Sequence, residues 1–533
     1  MFKKLLILAV SIYGNMISQT IILPLDHDVY NRIGKSLYST STAEHTSNLP
    51  LEYSRLHVPG NYDSLLASQR DYVYQGHSWL EGVIFSTHLA QVIDSEYTLS
   101  FDFLPDVGLG RDLMNDHYSW TNVRGFQADA VIGNSFSVRM QYFESLAKFP
   151  RYISDFVNTF NIVPGQGYKK IDSPGVYDYS HAFGSLIYSP SKYLTIQAGH
   201  DKNFIGDGYR SMLLSDIGFS YPYLKLTGYV WNFQYSIMWA QFQDLASSPQ
   251  LNDISWFKKK YGVFHYLDWN ITNRVSLGFF ESVIWENYDS TYGYRGFDFQ
   301  YANPFIFFHP VNYSMGSPDN VLLGLNMKYK ILDGTVLYGQ LLIDEMTFSE
   351  YFKDKGWWGN KYGYQAGLKS YEVFGIRNLS LQAEMNSATP YTYSHRSSLT
   401  NYGHYNQSLA HPLGANFYET LAIGNYRIKR FEFRLQLNYA RYGDDTMGVN
   451  YGRDIFKSYE TRLRDYGNYT GQGEKTNLYF SDLRVSYILN PKTNLRLECG
   501  VVYRSVQSGV ATDNSLIFNI GIKSAFRNLY YDF

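Results

Sequence analysis

The sequence holds one cysteine, Cys499, in 533 residues. A lone thiol excludes a disulfide framework and any cysteine-based zinc site. Beyond the first residues no run of about 18 apolar residues occurs, so no transmembrane helix is expected. Mean hydropathy is −0.30, unlike a helical membrane protein. Net charge is −2, which lacks the basic signature of a nucleic-acid partner.

Aromatic residues are abundant. Tyr 51, Phe 35 and Trp 9 make up 18% of the chain, and 45% of it is hydrophobic, which excludes a disordered chain. Tyrosine in this quantity suits surfaces that are apolar on one side and wet on the other. The length exceeds what one soluble core usually holds.

Residues 1–18 read as a secretory signal peptide. Lys3 and Lys4 form a basic start, and Leu5 to Tyr13 form an apolar stretch too short to span a bilayer. Cleavage is placed after Ser18, and no cysteine lies there to make a lipoprotein. Residues 19–95 do not share the rhythm of the rest of the chain and are expected as a periplasmic N-terminal extension. Within it, Trp79 to Ile93 fits a short amphipathic helix or one more strand.

From residue 96 to 533 the chain alternates. Phe431, Phe433, Leu435, Leu437 and Tyr439 share one face; Glu432, Arg434, Gln436 and Asn438 share the other. Leu495, Leu497, Cys499, Val501 and Tyr503 oppose Arg496, Glu498 and Gly500 in the same way. Segments of about ten residues with this pattern match transmembrane barrel strands. Eight short turns are predicted, from Gly133-Asn134 to Asn490–Thr493. They alternate with long polar stretches at 105–124, 145–181, 201–221, 244–259, 286–319, 346–361, 387–415, 442–475 and 505–514. Outer-membrane barrels have short periplasmic turns and long outer loops. The expected fold is therefore all-β, a transmembrane antiparallel β-barrel of about 18 strands (16–18) in a Gram-negative outer membrane, with both termini periplasmic. The ending, with Leu529, Tyr531 and Phe533 alternating, reads as a closing strand and as a signal for the barrel-insertion machinery.

Two tracts carry candidate chemistry. In the third long loop, Gly206 and Gly208 allow a tight turn that presents Asp207, Tyr209 and Arg210; Asp216 ends the tract. Met212 to Leu214 call for burial, so this loop is expected to fold into the lumen and meet the second tract near the outer mouth. It lacks the Gly-Lys-Ser/Thr ending of a phosphate loop. The second tract, Asn386 to Glu419, carries Tyr391, Tyr393, His395, His404 and His411. A polysaccharide-binding surface, with stacking on these rings and with Asp207, Tyr209, Arg210 and Asp216 of the first tract taking part, is one reading of it, and a loop packed by its own tyrosines is the other. The histidine spacings fit no compact metal motif, so no metal and no cofactor is expected. Asp344-Glu345 and Asp444-Asp445 are adjacent pairs whose members point to opposite strand faces. They make poor catalytic pairs, and a rim cation site or plain solubility explains them. No enzyme is expected. Arg434, Arg484, Arg496 and Arg504 with Glu384, Glu432 and Glu498 imply a charge-laced interior.

Three tracts carry a resemblance: NFIGDGYRSMLLSD, NPFIFFHPVNYSMGSPDNVLLGLNMKYK (Asn303 to Lys330) and NYGHYNQSLAHPLGANFYE (Asn401 to Glu419). With the ending RNLYYDF, they resemble the RemB-type gliding-motility-associated outer-membrane proteins of Bacteroidetes. The third-loop tract and overall plan are similar, more remotely, to the Wzi capsule-assembly family. The resemblance implies an 18-stranded outer-membrane barrel without enzymatic activity that holds or exports surface polysaccharide, with a looser link to gliding or adhesion. No catalytic residue comes with it. The runner-up reading is a channel or porin for small solutes. Surface polysaccharide and outer-membrane lipid are the expected partners, and a monomer is favoured.

Overall fold

A computed structural model describes residues 20–58, 78–245, 257–289, 293–307, 319–446 and 448–533. The signal-peptide reading of residues 1–18 falls outside them, as do parts of the 244–259 and 286–319 stretches and of the Asn303 to Lys330 tract.

Among the described residues, eighteen long antiparallel strands close into a barrel. In chain order they are β1 Tyr97–Asp112, β2 His117–Ile132, β3 Phe136–Lys148, β4 Val176–Ser191, β5 Leu194–Asp201 and β6 Tyr221–Val230. Then come β7 Phe233–Asp244, β8 Lys258–Asn270, β9 Val275–Glu286, β10 Asn320–Leu332, β11 Thr335–Glu345 and β12 Lys361–Tyr371. The last six are β13 Leu379–Ala388, β14 Phe417–Ile428, β15 Phe431–Asp444, β16 Glu474–Asn490, β17 Leu495–Gln507 and β18 Thr512–Lys523. All eight predicted short turns join consecutive strands at one end of the barrel.

The alternation sorts the two faces. On β15, Phe431, Phe433, Leu435, Leu437 and Tyr439 are exposed on the outside, while Gln436 and Asn438 are buried inside. The aromatic residues sit at both ends of this row and the leucines between them, as in a lipid-facing band with interfacial girdles. Tyr439 pairs with Tyr479 on β16, with ring centroids 5.1 Å apart.

Three expectations are corrected. The stretch 105–124 is not a long loop: β1 and β2 run through it in unbroken register from Tyr97↔Ile132 to Asp112↔His117. Val107 and Leu109 face outward there, and Gly108 and Gly110 take the inward positions between Asp106 and Asp112. The polar half of the alternation is therefore broken in the middle of this stretch. The closing strand is β18, which pairs with β1 from Ile517↔Asp112 to Lys523↔Asp106. Residues 524–533 form no strand, and Phe526, Tyr530 and Asp532 are buried. The alternation of Leu529, Tyr531 and Phe533 is thus not that of a barrel strand.

The third correction concerns the N-terminal segment. Its described residues 20–58 pack inside the ring of strands. Helix α1, His27–Leu37, starts at Asp26, whose side chain accepts a bond from the Val29 amide at 3.0 Å. Val29, Ile33 and Leu37 recur at helical spacing and bury against Leu51, Tyr53, Val336 and Phe526. Residues Asn48–Leu49 then pair with Phe204–Ile205 of the third loop. Farther on, Trp79–Phe85 is a short helix and Ala90–Ile93 a strand against Thr98 to Phe101 of β1. That strand occupies the part of the β1 edge that β18 leaves open.

Candidate functional site

Among the described segments that plug the lumen are the N-terminal segment, the third loop, the Asn386 to Glu419 tract and the C-terminal tail, with the helix Arg151–Phe160 packed against the inner wall at Phe480 and Val502. Arg210 is where three of them meet. The third loop enters after β5 and pairs with the N-terminal segment: the Gly206 amide donates to the Ser47 carbonyl at 2.8 Å. Gly206 has φ +145°, and a Cβ there would collide with the Gln340 amide nitrogen. Only glycine fits that position. Met212, Leu213 and Leu214 then pack on Tyr393, Tyr402, Phe264 and Phe280. Burying each of them stabilises the plug by about 1.5–3 kcal/mol.

Arg210 is fully buried, so its charge must be met inside the protein. Its guanidinium donates to Glu419 of β14 at 3.0 Å and to Asp532 of the C-terminal tail at 2.9 Å. Glu384 of β13 accepts from the amides of Tyr209 (2.7 Å) and Arg210 (3.1 Å). His411 donates its Nε2 proton to Glu419 at 2.7 Å, since its Nδ1 accepts from the Leu413 amide. Burial holds the His411 imidazole below its ordinary pKa, against the pull of Glu419.

The neighbouring carboxylates are used the same way. Asp207 accepts from Tyr38 at 3.0 Å and Thr46 at 2.5 Å, which ties the third loop to the N-terminal segment. Asp207 stays below its usual range; burial opposes this, and Lys328 and Lys369 overcome it. Asp216 accepts from Tyr530 at 2.8 Å and Asn528 at 2.9 Å, which ties the loop to the tail.

The third loop and the Asn386 to Glu419 tract do meet. Tyr393 donates to the Met212 carbonyl at 2.8 Å, Tyr402 to the Leu213 carbonyl at 2.6 Å, and the Ser215 amide to the Leu409 carbonyl at 2.8 Å. His404 accepts at Nδ1 from the Gln243 amide (3.0 Å) and donates from Nε2 to the Ser220 carbonyl (3.2 Å). That pair of contacts fixes the neutral tautomer, and burial lowers the His404 pKa to about 3. His395 bonds Thr400 at 2.6 Å, and burial lowers its pKa to about 3 as well. Tyr391 donates to the Asn450 carbonyl at 3.0 Å.

Asp207, Tyr209, Arg210, Asp216, Tyr391, Tyr393, His395, His404 and His411 are thus brought together as packed interior, each at most 9% exposed. At this burial none of the nine presents an open stacking face, and Tyr393 and Tyr402 of the second tract stack on each other and bond the third loop. The acid pairs are also engaged. Asp344 and Glu345 flank the Lys361 ammonium at 3.1 and 3.2 Å, Asp444 pairs with Arg453, and Asp445 with Lys457 at 2.7 Å. Among the described residues no group of three or more metal-binding side chains converges.

One cluster of exposed aromatic residues lies apart from these, at the long-loop end. The loop after β11 and the loop before β16 join through the Asn468 amide to the Gly356 carbonyl (3.0 Å) and the Trp358 amide to the Asp465 carbonyl (2.9 Å). Trp357 lies on Tyr466 with ring centroids 4.9 Å apart, and Arg462 covers Trp358 at 4.2 Å. Phe348, Tyr351, Phe352, Tyr466 and Tyr469 are exposed around them. Glu350, bonded to Lys353 at 2.6 Å, adds polar groups between the rings. The tandem Trp357-Trp358 between Gly356 and Gly359 is the sequence signal that could have found this face. The two loops come from distant parts of the chain, so their meeting is not legible in either one.

The chain matches no protein-family model and no curated protein. Among solved structures its fold is similar to that of Wzi of Escherichia coli, an outer-membrane protein involved in group 1 capsule assembly and described as a carbohydrate-binding β-barrel. The match has a TM-score of 0.57 at 14% identity and covers 95% of this chain and 100% of that one. OprD of Pseudomonas aeruginosa matches at a TM-score of 0.41 and 12% identity, over 80% of this chain and 94% of that one. OccAB2 of Acinetobacter baumannii matches at 0.42 and 9%, over 80% and 98%. At such identities the likeness is one of fold, and the fold is a closed 18-stranded outer-membrane-type barrel.

Proposed function

We propose that the protein is a non-enzymatic outer-membrane barrel that binds or anchors surface polysaccharide. The observation that carries this reading is the plug. Several segments fill the lumen, and three of them are keyed together around Arg210, which suits a barrel that holds something at its surface more than one that passes solutes. The exposed aromatic face at the long-loop end supports the same reading, because amphipathic rings beside polar groups suit polyhydroxyl ligands. The fold shared with a carbohydrate-binding barrel supports it further. The plug residues act here as supports behind the sugar-facing surface. A link to gliding or adhesion belongs to this reading, since a polymer held at the cell surface gives a moving cell its grip.

The test is polysaccharide staining of a deletion strain complemented with wild type or with Trp357→Ala/Tyr466→Ala. Retention should fall in the deletion strain and in the double variant, with the barrel still heat-modifiable. Unchanged retention in the deletion strain would overturn the proposal.

A channel for small solutes is the second reading. A cavity of about 780 Å³ at the short-turn end favours it. Conductance separates the two.

A further inference from the structure

The cavity at the short-turn end has a lining that the plug does not account for. It lies between α1 and the inner faces of β12 to β17. Eight lysine and arginine side chains line it, against four carboxylates.

The carboxylates are already shared. Glu432 takes Arg427 at 2.6 Å and Arg32 at 3.4 Å. Glu498 takes Lys523 at 2.7 Å and Arg484 at 3.5 Å. Asp28 takes Arg496 at 2.7 Å, and Glu372 takes Lys35 at 2.5 Å. The remaining three cations, Arg377, Lys429 and Arg434, form no ion pair among the described residues. Arg434 donates to Gln436 at 3.0 Å, and its Nε is buried without a hydrogen-bond partner. The enclosed Nε is out of a ligand's reach, and the terminal N–H groups that Gln436 does not use are the donors Arg434 offers to an anion in the cavity. Arg377 and Lys429 are exposed on adjacent short turns at the mouth, where they would attract one.

Tyr371, Tyr426, Asn31 and Asn425 also line the space. A volume of about 780 Å³ exceeds what an inorganic anion needs and falls within the range of ligand pockets. Rings, amides and spare carboxylate oxygens suit hydroxyl groups, and the excess cations suit a carboxylate. We propose that this cavity is a binding site for an acidic oligosaccharide, entered from the short-turn, periplasmic end and held through Arg434, Arg377 and Lys429. The sugar half of this assignment rests on the polysaccharide reading; the anionic half rests on the cavity alone.

Calorimetric titration of the full-length barrel in detergent tests it, with trigalacturonic acid, maltotriose and inorganic phosphate as probes. The acidic trisaccharide should bind at least ~tenfold more tightly than maltotriose or phosphate, and more weakly as salt rises. Arg434→Gln/Arg377→Gln/Lys429→Gln should weaken it by a similar factor while remaining heat-modifiable. If the triple variant fails to fold, Lys429→Gln alone, at an exposed turn, should still weaken it measurably. Equal binding of trigalacturonate and phosphate, equal binding of acidic and neutral sugar, or binding indifferent to every variant would overturn the proposal. Loss of surface polysaccharide in the deletion strain without trigalacturonate binding would overturn this inference and leave the function standing.

Discussion

Arg210 and Asp532 lie 322 residues apart in the chain and form a two-pronged ion pair inside the barrel, with bonds of 2.9 and 3.2 Å. The pair fastens the third long loop to the C-terminal tail. Glu419 completes the charge balance from the wall at 3.0 Å.

Removing the cation leaves two buried carboxylates facing each other. Arg210→Ala should destabilise the plug by about 3–5 kcal/mol. Protease cleavage within residues 524–533 on the purified barrel checks this. Cleavage should be rapid in the variant and slow in wild type, and equal rates would remove Arg210 from its keystone role.

The outward row of β15 should be sensitive to charge. Leu435→Arg should cost about 2–4 kcal/mol near the bilayer midplane. Asn425→Arg, on the inner face of β14 against the large cavity, should cost less. Gln436 is a poor inward control because it is buried and bonds Asp532 at 2.5 Å. Urea unfolding in lipid vesicles measures both, and equal costs would contradict the assignment of faces.

Cys499 is exposed on the outer surface of β17, in line with Leu497 and Tyr503. In a membrane that surface meets lipid. A water-soluble maleimide should leave Cys499 unlabelled on whole cells, and a membrane-partitioning maleimide should label it. Rapid labelling by the soluble reagent would put the strand one residue out of register.

His404 gives the plug an acid-sensitive point. Its folded pKa of about 3 lies below the ordinary 6.5, so the unfolded chain takes up the proton first. Its contribution to stability is therefore complete above pH 6.5 and declines as pH falls towards 3. Asp26, which burial pushes up to about 7, acts in the opposite direction. The test is thus the difference between wild type and His404→Gln. Thermal unfolding in neutral and in mildly acidic buffer should show a larger acid-induced drop for wild type than for the variant. Identical drops would contradict a neutral, buried His404.

The parts of the fold written in local pattern are legible in the sequence. Leu435 and Gln436 announce their faces, and Gly133-Asn134 announces its turn. The rest depends on contacts distant along the chain. Nothing near Tyr38 foretells Asp207, and nothing near Asp532 foretells Arg210. Gly108 and Gly110 hide the ends of β1 and β2 because glycine carries no side chain to alternate. Tyr531 and Phe533 mimic a strand because aromatic residues are so common here that two fall in step by composition. The tracts around Arg210 and His404 stand out by their unusual residues, but their burial does not. A histidine that stacks on sugar and one that packs on tyrosine look alike in sequence.

Single-channel conductance in planar bilayers tests most directly whether the barrel is sealed by its own chain. Wild type should give no large, stable current steps, and a chain truncated after Lys523, which lacks Asp532 and its hold on Arg210, should give them. Large, stable steps from wild type would contradict the sealed barrel and favour a channel.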